Sequence, residues 1–307
     1  MKKNINRRDF IRRLGGLGLL SYGIRAVTAE DFLSFCCFSA TQSDIIIASN
    51  RSPEENTYAA IEAIGGMEQF IKPGEKVLIN PNLCSHLPFQ TAANTHPLVV
   101  KAVVKLCQKV GVKEVVIGNM NSSKNYRAGG LYKIAEETGA VLKPLDNKRE
   151  FFTKTAIPQG IALKEVLLSQ DYLNCDVLIN IPIAKHHSAA GMSLSLKNKL
   201  GLVTDIYSTF HRDGDKYLAQ SIADLNTVVK AKLTVMDANK VLVKGGPIGP
   251  GETVEPKKVI IGRDAVAIDA WAANFFKLSP KVDELLSLAV GHGLGQADLK
   301  KIKIKEI

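Results

Sequence analysis

The chain has 307 residues, 46% hydrophobic and 23% charged, which excludes a disordered, collagenous or coiled-coil protein and suits one large domain or two smaller ones. Forty Lys and Arg against 30 Asp and Glu give a formal net charge of +10, which taken alone suggests a nucleic-acid or anionic-membrane partner. None of the five cysteines forms a C-x-x-C pair, which excludes a zinc ribbon, a thioredoxin-type redox motif and an iron–sulfur ligand pattern of the ferredoxin type.

The first segment disposes of most of the charge. Met1 to Arg13 (MKKNINRRDFIRR) is basic, Leu14 to Ile24 (LGGLGLLSYGI) is weakly apolar, and RAVTA ends at Ala29 in small residues, the order of a secretory signal. Arg7-Arg8 followed by Asp9, Phe10 and Ile11 resembles the twin-arginine signal, an address read by export machinery that carries folded proteins. The apolar stretch is too short and Gly-rich to span a bilayer, which takes about 20 apolar residues, so no transmembrane segment is expected in the mature chain. Residues 1–29 hold seven basic side chains and one acid, so their removal leaves an α/β domain near +4 and takes away the argument for nucleic acid. A linker follows over 30–43. It carries Cys36 and Cys37, with bulky Phe35 where a lipoprotein box has a small residue.

From Asp44 on, β-branched runs alternate with helical patterns. Strands are expected at 44–49, 76–81, 113–119, in AVLKPL at 140–145, at 176–182, 233–238 and 258–264, and in the C-terminal KIKIKEI, which alternates as an exposed edge does. Helices are expected at 56–71, 96–111, 193–201, 216–230, 264–277 and 280–291. Thr95 precedes His96-Pro97 as an N-cap, Gly111 stops that helix, and Asp264 caps another. Strand, helix and strand in repetition imply βαβ units, and the predicted class is α/β with a mainly parallel sheet flanked by helices over 44–307.

Ligands of such sheets gather beyond the carboxyl ends of the strands. Three loops there carry functional groups: NPNLCSH at 80–86, with Asn80 and Asn82 as ligand-orienting amides or turn formers; NMNSSKN at 119–125; and PIAKHHSAAGMSLSLKNKLG at 182–201. In the last, Lys185, His186 and His187 follow a strand, Gly191 and Ser193 lie in a small-residue turn, and Lys197-Asn198 opens the next helix. Lysines beside free backbone N–H groups bind phosphate or carboxylate, and histidine exchanges protons near neutral pH or binds metal. His211, beside Arg212, Asp213 and Asp215, is a further catalytic or metal candidate. GGPIGPG at 245–251 lacks the lysine and helix of a P-loop, His96 serves capping or chemistry, and His292 reads as a loop residue.

KVLINPNLCS, THPLVVKAVVKL, INIPIAKHHSAAGMSLSLKNKLGLV, FHRDGDKYLAQSIADLN, LTVMDA and IIGRDAVAIDAWAANF resemble, in that order, the successive blocks of the domain-of-unknown-function family 362 over nearly all of 44–307. That family's usual Pro-Lys-Leu-Lys-Thr-His is changed here to Ile183, Ala184 and His186, while Lys185 and His187 keep their places. Many relatives carry a ferredoxin-like part with eight cysteines that this chain lacks. Over eleven positions, His187, Ala190, Gly191, Ser193 and Lys197 are also similar to a segment of the nickel-pincer lactate racemase family. That resemblance implies a proton-transfer role for His187 and contact of Lys197 with a nicotinic-acid-derived cofactor. No nickel site follows from it.

Two functions are therefore expected in the periplasm or another exported location. One is an enzyme with His187 as acid/base and Lys185, Lys197 and Asn198 holding a small anionic substrate or cofactor for proton-transfer or redox chemistry. The other is a non-catalytic module that binds a ligand, metal or cofactor for a partner enzyme. The identity of any cofactor is left open.

Overall fold

The computed structural model describes residues 44–276 and 280–307; the expected signal and linker, with Cys36 and Cys37, lie outside the described residues. The first half runs β1 (Ile45–Ser49), α1 (Pro53–Ala63), β2 (Lys76–Pro81), α2 (Pro97–Val110), β3 (Glu114–Asn119), α3 (Ser123–Ala128), α4 (Leu131–Thr138) and β4 (Val141–Pro144). The second begins with β5 (Phe152–Ala156), β6 (Glu165–Ser169), α5 (Gln170–Leu173), β7 (Val177–Ile181), β8 (Ile183–His187), β9 (Gly191–Ser193), α6 (Ser195–Asn198) and α7 (Ile206–Phe210). It closes with α8 (Leu218–Val228), β10 (Leu233–Leu242), β11 (Thr253–Val254), β12 (Lys258–Gly262), α9 (Ala265–Ala272), α10 (Pro280–Gly291) and β13 (Ile304–Glu306).

One sheet organises the fold, in the order β13-β1-β12-β10-β7-β2-β3-β4. Pairs from β10 through β7, β2 and β3 to β4 are parallel, as expected for βαβ units, but β12 runs antiparallel to both β1 and β10. Strand direction is set by how the connections cross the sheet, which residue patterns do not encode. The strands read as continuous apolar runs because both faces are covered. Ile45 and Ile47 of β1 face one core with α8, α9 and α10, while Ile46 and Ala48 face the other with α1, α2 and α4. Leu78 against Val77 and Ile79, and Ile260 against Val259 and Ile261, divide in the same way, as the two-residue period of a strand requires.

Local signals explain most helix ends. Ser52 and Glu55 form a reciprocal capping box at α1, which starts earlier than the sequence pattern and ends before Gly65 and Gly66, whose φ values of 102° and 91° are incompatible with the expected run to 71. Asp264 caps α9 as expected, Oδ1 accepting from Val266 and Ala267 N–H. The cap of α2 is His96, whose Nδ1 accepts from Leu98 N–H at 3.2 Å. Thr95 instead donates from Oγ1 to Ile181 O and accepts from Asn82 N–H, joining the β2 loop to β7. The largest departure lies at the expected helix 193–201: only Ser195–Asn198 is α-helical, and residues before it form the β8–β9 hairpin. The β5–β6 hairpin was also outside the sequence pattern.

A cavity at the carboxyl ends of the strands

β2, β3 and β7 end side by side, and the chain does not leave the sheet after β7. It passes Pro182 and continues as β8 beside β10, then folds back through Gly191, at φ 77°, into β9. Alternation along β8 puts Lys185 and His187 on one face and His186 on the other. A cavity of about 520 Å³ opens there, and Lys185, His187, Ser193, Lys197, Asn198, Asn82 and His211 all line it. Gly191 does not; it makes the turn that returns the chain to Ser193.

Beneath the cavity a net of asparagines fixes the 195–201 segment. Asn198 Nδ2 donates to Asn180 Oδ1 at 2.8 Å and to Asn80 O at 3.1 Å. Asn80 Nδ2 returns a bond to Asn198 O, and Asn180 Nδ2 donates to Ser195 O. Asn82 Nδ2 donates to Asn198 Oδ1 at 2.9 Å. From below, the buried Asp269 carboxylate accepts from Ser195 N–H at 2.7 Å and Leu196 N–H at 2.9 Å, and burial raises its pKa to about 7. Gly201 completes the seat, since a Cβ there would lie 2.8 Å from Asn80 Oδ1. These amides therefore position the loop; Asn80 lies outside the lining and acts through it, whereas Asn82 also lines the cavity and holds Lys185.

The charged groups differ in how well they are satisfied. Lys185, 1% exposed, directs its three ammonium hydrogens to Asn82 Oδ1 at 2.8 Å, Ala93 O at 2.6 Å and Cys84 Sγ at 2.7 Å. Lys197, partly buried in the cavity wall, makes no hydrogen bond or ion pair among the described residues. Loss of water, with repulsion from Lys185, lowers its pKa to about 8. His187, 8% exposed, accepts at Nδ1 from Ala189 and Ala190 N–H at 3.2 and 3.3 Å, so the neutral ring carries its proton on Nε2, which has no partner among the described residues. Burial first, then the charges of Lys197 and Lys185, hold its pKa down to about 2.

His211 is built differently. Asp215 Oδ1 lies 2.6 Å from its Nδ1, which leaves Nε2 as the exchanging nitrogen, the arrangement of a carboxylate-oriented general acid/base. Asp213, Gly214 and Asp215 adopt φ of 51°, 66° and 68°, the left-handed turn that brings this carboxylate back onto the ring. The His187 and His211 rings stack with centroids 6.2 Å apart, and Tyr207, 84% exposed, leans on His211 at 5.7 Å. Asp205 also lines the cavity, with its carboxylate held by Arg149 at 2.6 and 3.0 Å.

Sequence reading missed Cys84, Tyr207, Asp205 and the wall made by Pro247 and Ile248, although Cys84 and those wall residues stand in segments it had singled out. Three histidines singled out by sequence lie outside the cavity. His96 caps α2, and His292 Nε2 meets Asp224 Oδ1 at 2.9 Å, beside the carboxylate that ties down Ile161, Ala162 and Leu163. His186 is half-buried with Nδ1 unpartnered, outside the cavity lining. No group of three or more His, Cys, Asp and Glu converges as a metal set among the described residues.

A family model described as "Domain of unknown function (DUF362)" matches residues 77–274. The chain is 27% identical over 227 residues to Thylakoid-associated protein sll1697 of Synechocystis, covering 72% of this chain and 68% of that one. Among solved structures it is similar to the lactate racemase apoprotein of Thermoanaerobacterium thermosaccharolyticum, at TM-score 0.44 and 15% identity over 71% of this chain and 54% of that one. It is also similar to a protein of Thermotoga maritima, at TM-score 0.44 and 14% identity over 78% and 58%. The chain thus spans a little over half the length of these two structures.

Proposed function

The chain belongs to the DUF362 family, and from the cavity described above we propose that it takes a small anion onto Lys197 for proton-transfer or redox chemistry. One observation carries the reading: a lysine with no hydrogen bond or ion pair among the described residues lies in the wall of a cavity that also holds the inward-facing Lys185 and two imidazoles. An anion restores to Lys197 the hydrogen bonds and counter-charge it lost on burial. A small carboxylate and the phosphate end of a nicotinic-acid-derived cofactor both meet this requirement.

In this reading His211, oriented by Asp215, moves the proton. His187 enters as a neutral imidazole donating from Nε2 to a developing oxyanion, since burial first, and the charges of Lys197 and Lys185 next, oppose its protonation. A bound anion offsets that repulsion and restores part of its acid/base capacity. The occupied Nδ1 of His187 favours a second reading, a non-catalytic module that holds the ligand for a partner enzyme. For location we propose export by the twin-arginine machinery with cleavage after Ala29, on the strength of Arg7-Arg8 and the small residues before Glu30. No helix of the described residues is long and apolar enough to cross a membrane.

Thermal-shift titration with inorganic phosphate and a panel of small carboxylates tests the anion site, which is refuted if none stabilises the wild type. Turnover in that panel, lost in His211→Ala without loss of folding, separates enzyme from carrier. Mass spectrometry of protein purified from the exported fraction reports both the cleavage point and any retained cofactor.

A further inference from the structure

Cys84 is a cavity-lining nucleophile whose chemistry the reading above leaves unused. It follows β2 in the NPNLCSH segment, is half-buried, and forms no disulfide among the described residues. Its sulfur receives a hydrogen bond from the ammonium of Lys185 at 2.7 Å and lies 3.4 Å from Pro247 O. The other two hydrogens of Lys185 are fixed on Asn82 Oδ1 and Ala93 O, so the lysine is clamped with one N–H aimed at the sulfur. A cation donating to sulfur stabilises its anionic form, which is the nucleophile. The other two described cysteines lack such a partner: burial pushes the Cys107 thiol up to about 12 and the Cys175 thiol up to about 11.

A second observation points to a ligand at the same place. His187, more than nine-tenths buried, turns an unpartnered Nε2 to the cavity that Cys84 lines, and unpaired Lys197 lies in the same wall. Nucleophile, oxyanion donor and anion anchor thus share one enclosure.

We propose that Cys84 is a nucleophile for small carboxylates carrying an electrophilic carbon beside the carboxyl group, 2-oxo acids among them, with Lys185 activating the sulfur and Lys197 holding the carboxylate. This rests on the anion-binding reading of the cavity. With a 2-oxo acid the sulfur lone pair forms an S–C bond to the carbonyl carbon, the C=O π pair moves onto oxygen, and the thiol proton ends on that oxygen as a hydroxyl. The product is a tetrahedral adduct, with no leaving group and no change in oxidation level. His187 Nε2–H stabilises the oxyanion on the way.

Alkylation of the full chain with iodoacetate and iodoacetamide, read by peptide mass mapping, tests this without an activity assay. In alkylation the S–C bond forms and iodide leaves. Cys84 should be modified ahead of Cys175 and Cys107. Its preference for iodoacetate over iodoacetamide should exceed that of N-acetylcysteine by about tenfold, the low end of what a focused positive potential gives. Lys185→Met should slow both reagents at Cys84, Lys197→Met should remove only the preference for the anion, and prior glyoxylate should protect Cys84. Equal reactivity of Cys84 and Cys175, a preference no greater than that of the free thiol, or no protection by glyoxylate overturns the proposal. The wild-type measurements decide it even if Lys185→Met fails to fold. If phosphate or carboxylates stabilise the protein while Cys84 stays inert, this inference fails and the anion site stands; if neither occurs, both fail.

Discussion

Replacing Lys197 with Met should make the ligand-free protein more stable and remove its response to anions. The Lys197 pKa falls from 10.5 to about 8, chiefly because the ammonium loses water in the cavity wall without gaining a hydrogen bond or ion pair among the described residues. At about 1.4 kcal/mol per pKa unit the shift sets an upper bound of about 3 kcal/mol, and water remaining in the open cavity reduces this to roughly 1–2 kcal/mol. The pH dependence follows from linkage. Between pH 8 and 10.5 the unfolded chain binds a proton at Lys197 that the folded chain does not, so this group raises stability as pH climbs through that window. Below pH 8 the folded protein carries the full penalty. Urea denaturation of wild type and Lys197→Met at pH 7 should therefore show the variant ahead, with the gap closing as pH approaches 10.5. Phosphate or carboxylate should raise the Tm of the wild type only. A variant less stable at pH 7, a gap independent of pH, or an unchanged response to anions would refute the reasoning.

Asp215→Asn removes the carboxylate that orients His211 across 2.6 Å, and should cut any turnover by at least about 100-fold. The pair is partly exposed, so denaturation should show a stability loss within about 1 kcal/mol; a larger loss would make the dyad structural. Asp269→Asn cannot accept from both Ser195 and Leu196 N–H, and should cost about 1–3 kcal/mol in urea while weakening anion binding through displacement of Lys197. Gly201→Ala places a methyl 2.8 Å from Asn80 Oδ1 and should destabilise by about 1–3 kcal/mol; an unchanged denaturation midpoint would show that the seat is not tight. Changing Arg7 and Arg8 together to Lys should retain the protein in the cytoplasm with its N-terminus uncleaved, as cell fractionation and N-terminal sequencing will tell; normal export would refute the signal assignment.

What the sequence by itself determined is what local pattern encodes. Buried strands such as VLINI at 177–181, the amphipathic helix that begins at Pro97 and the Asp264 cap were legible because burial on both sheet faces, helical period and capping act over a few residues. Lys185 and His187 were legible as a pair through their position after a buried strand, and the distant His211 as a polar-loop candidate. Only the tertiary structure decided how these act. Whether β12 runs parallel or antiparallel depends on crossovers, and the 183–193 segment is a hairpin because β10 offers it a pairing edge, against a small-residue pattern equally suited to a helix start. The difference between the two lysines is also non-local. Lys185 is satisfied by Asn82, Cys84 and Ala93, about a hundred residues away, whereas Lys197 is brought into a cavity wall with no hydrogen bond or ion pair among the described residues. Charge is written residue by residue in the chain, but whether a charge has a partner is a property of the fold, and in this protein that property separates the clamped lysine from the one open to a ligand.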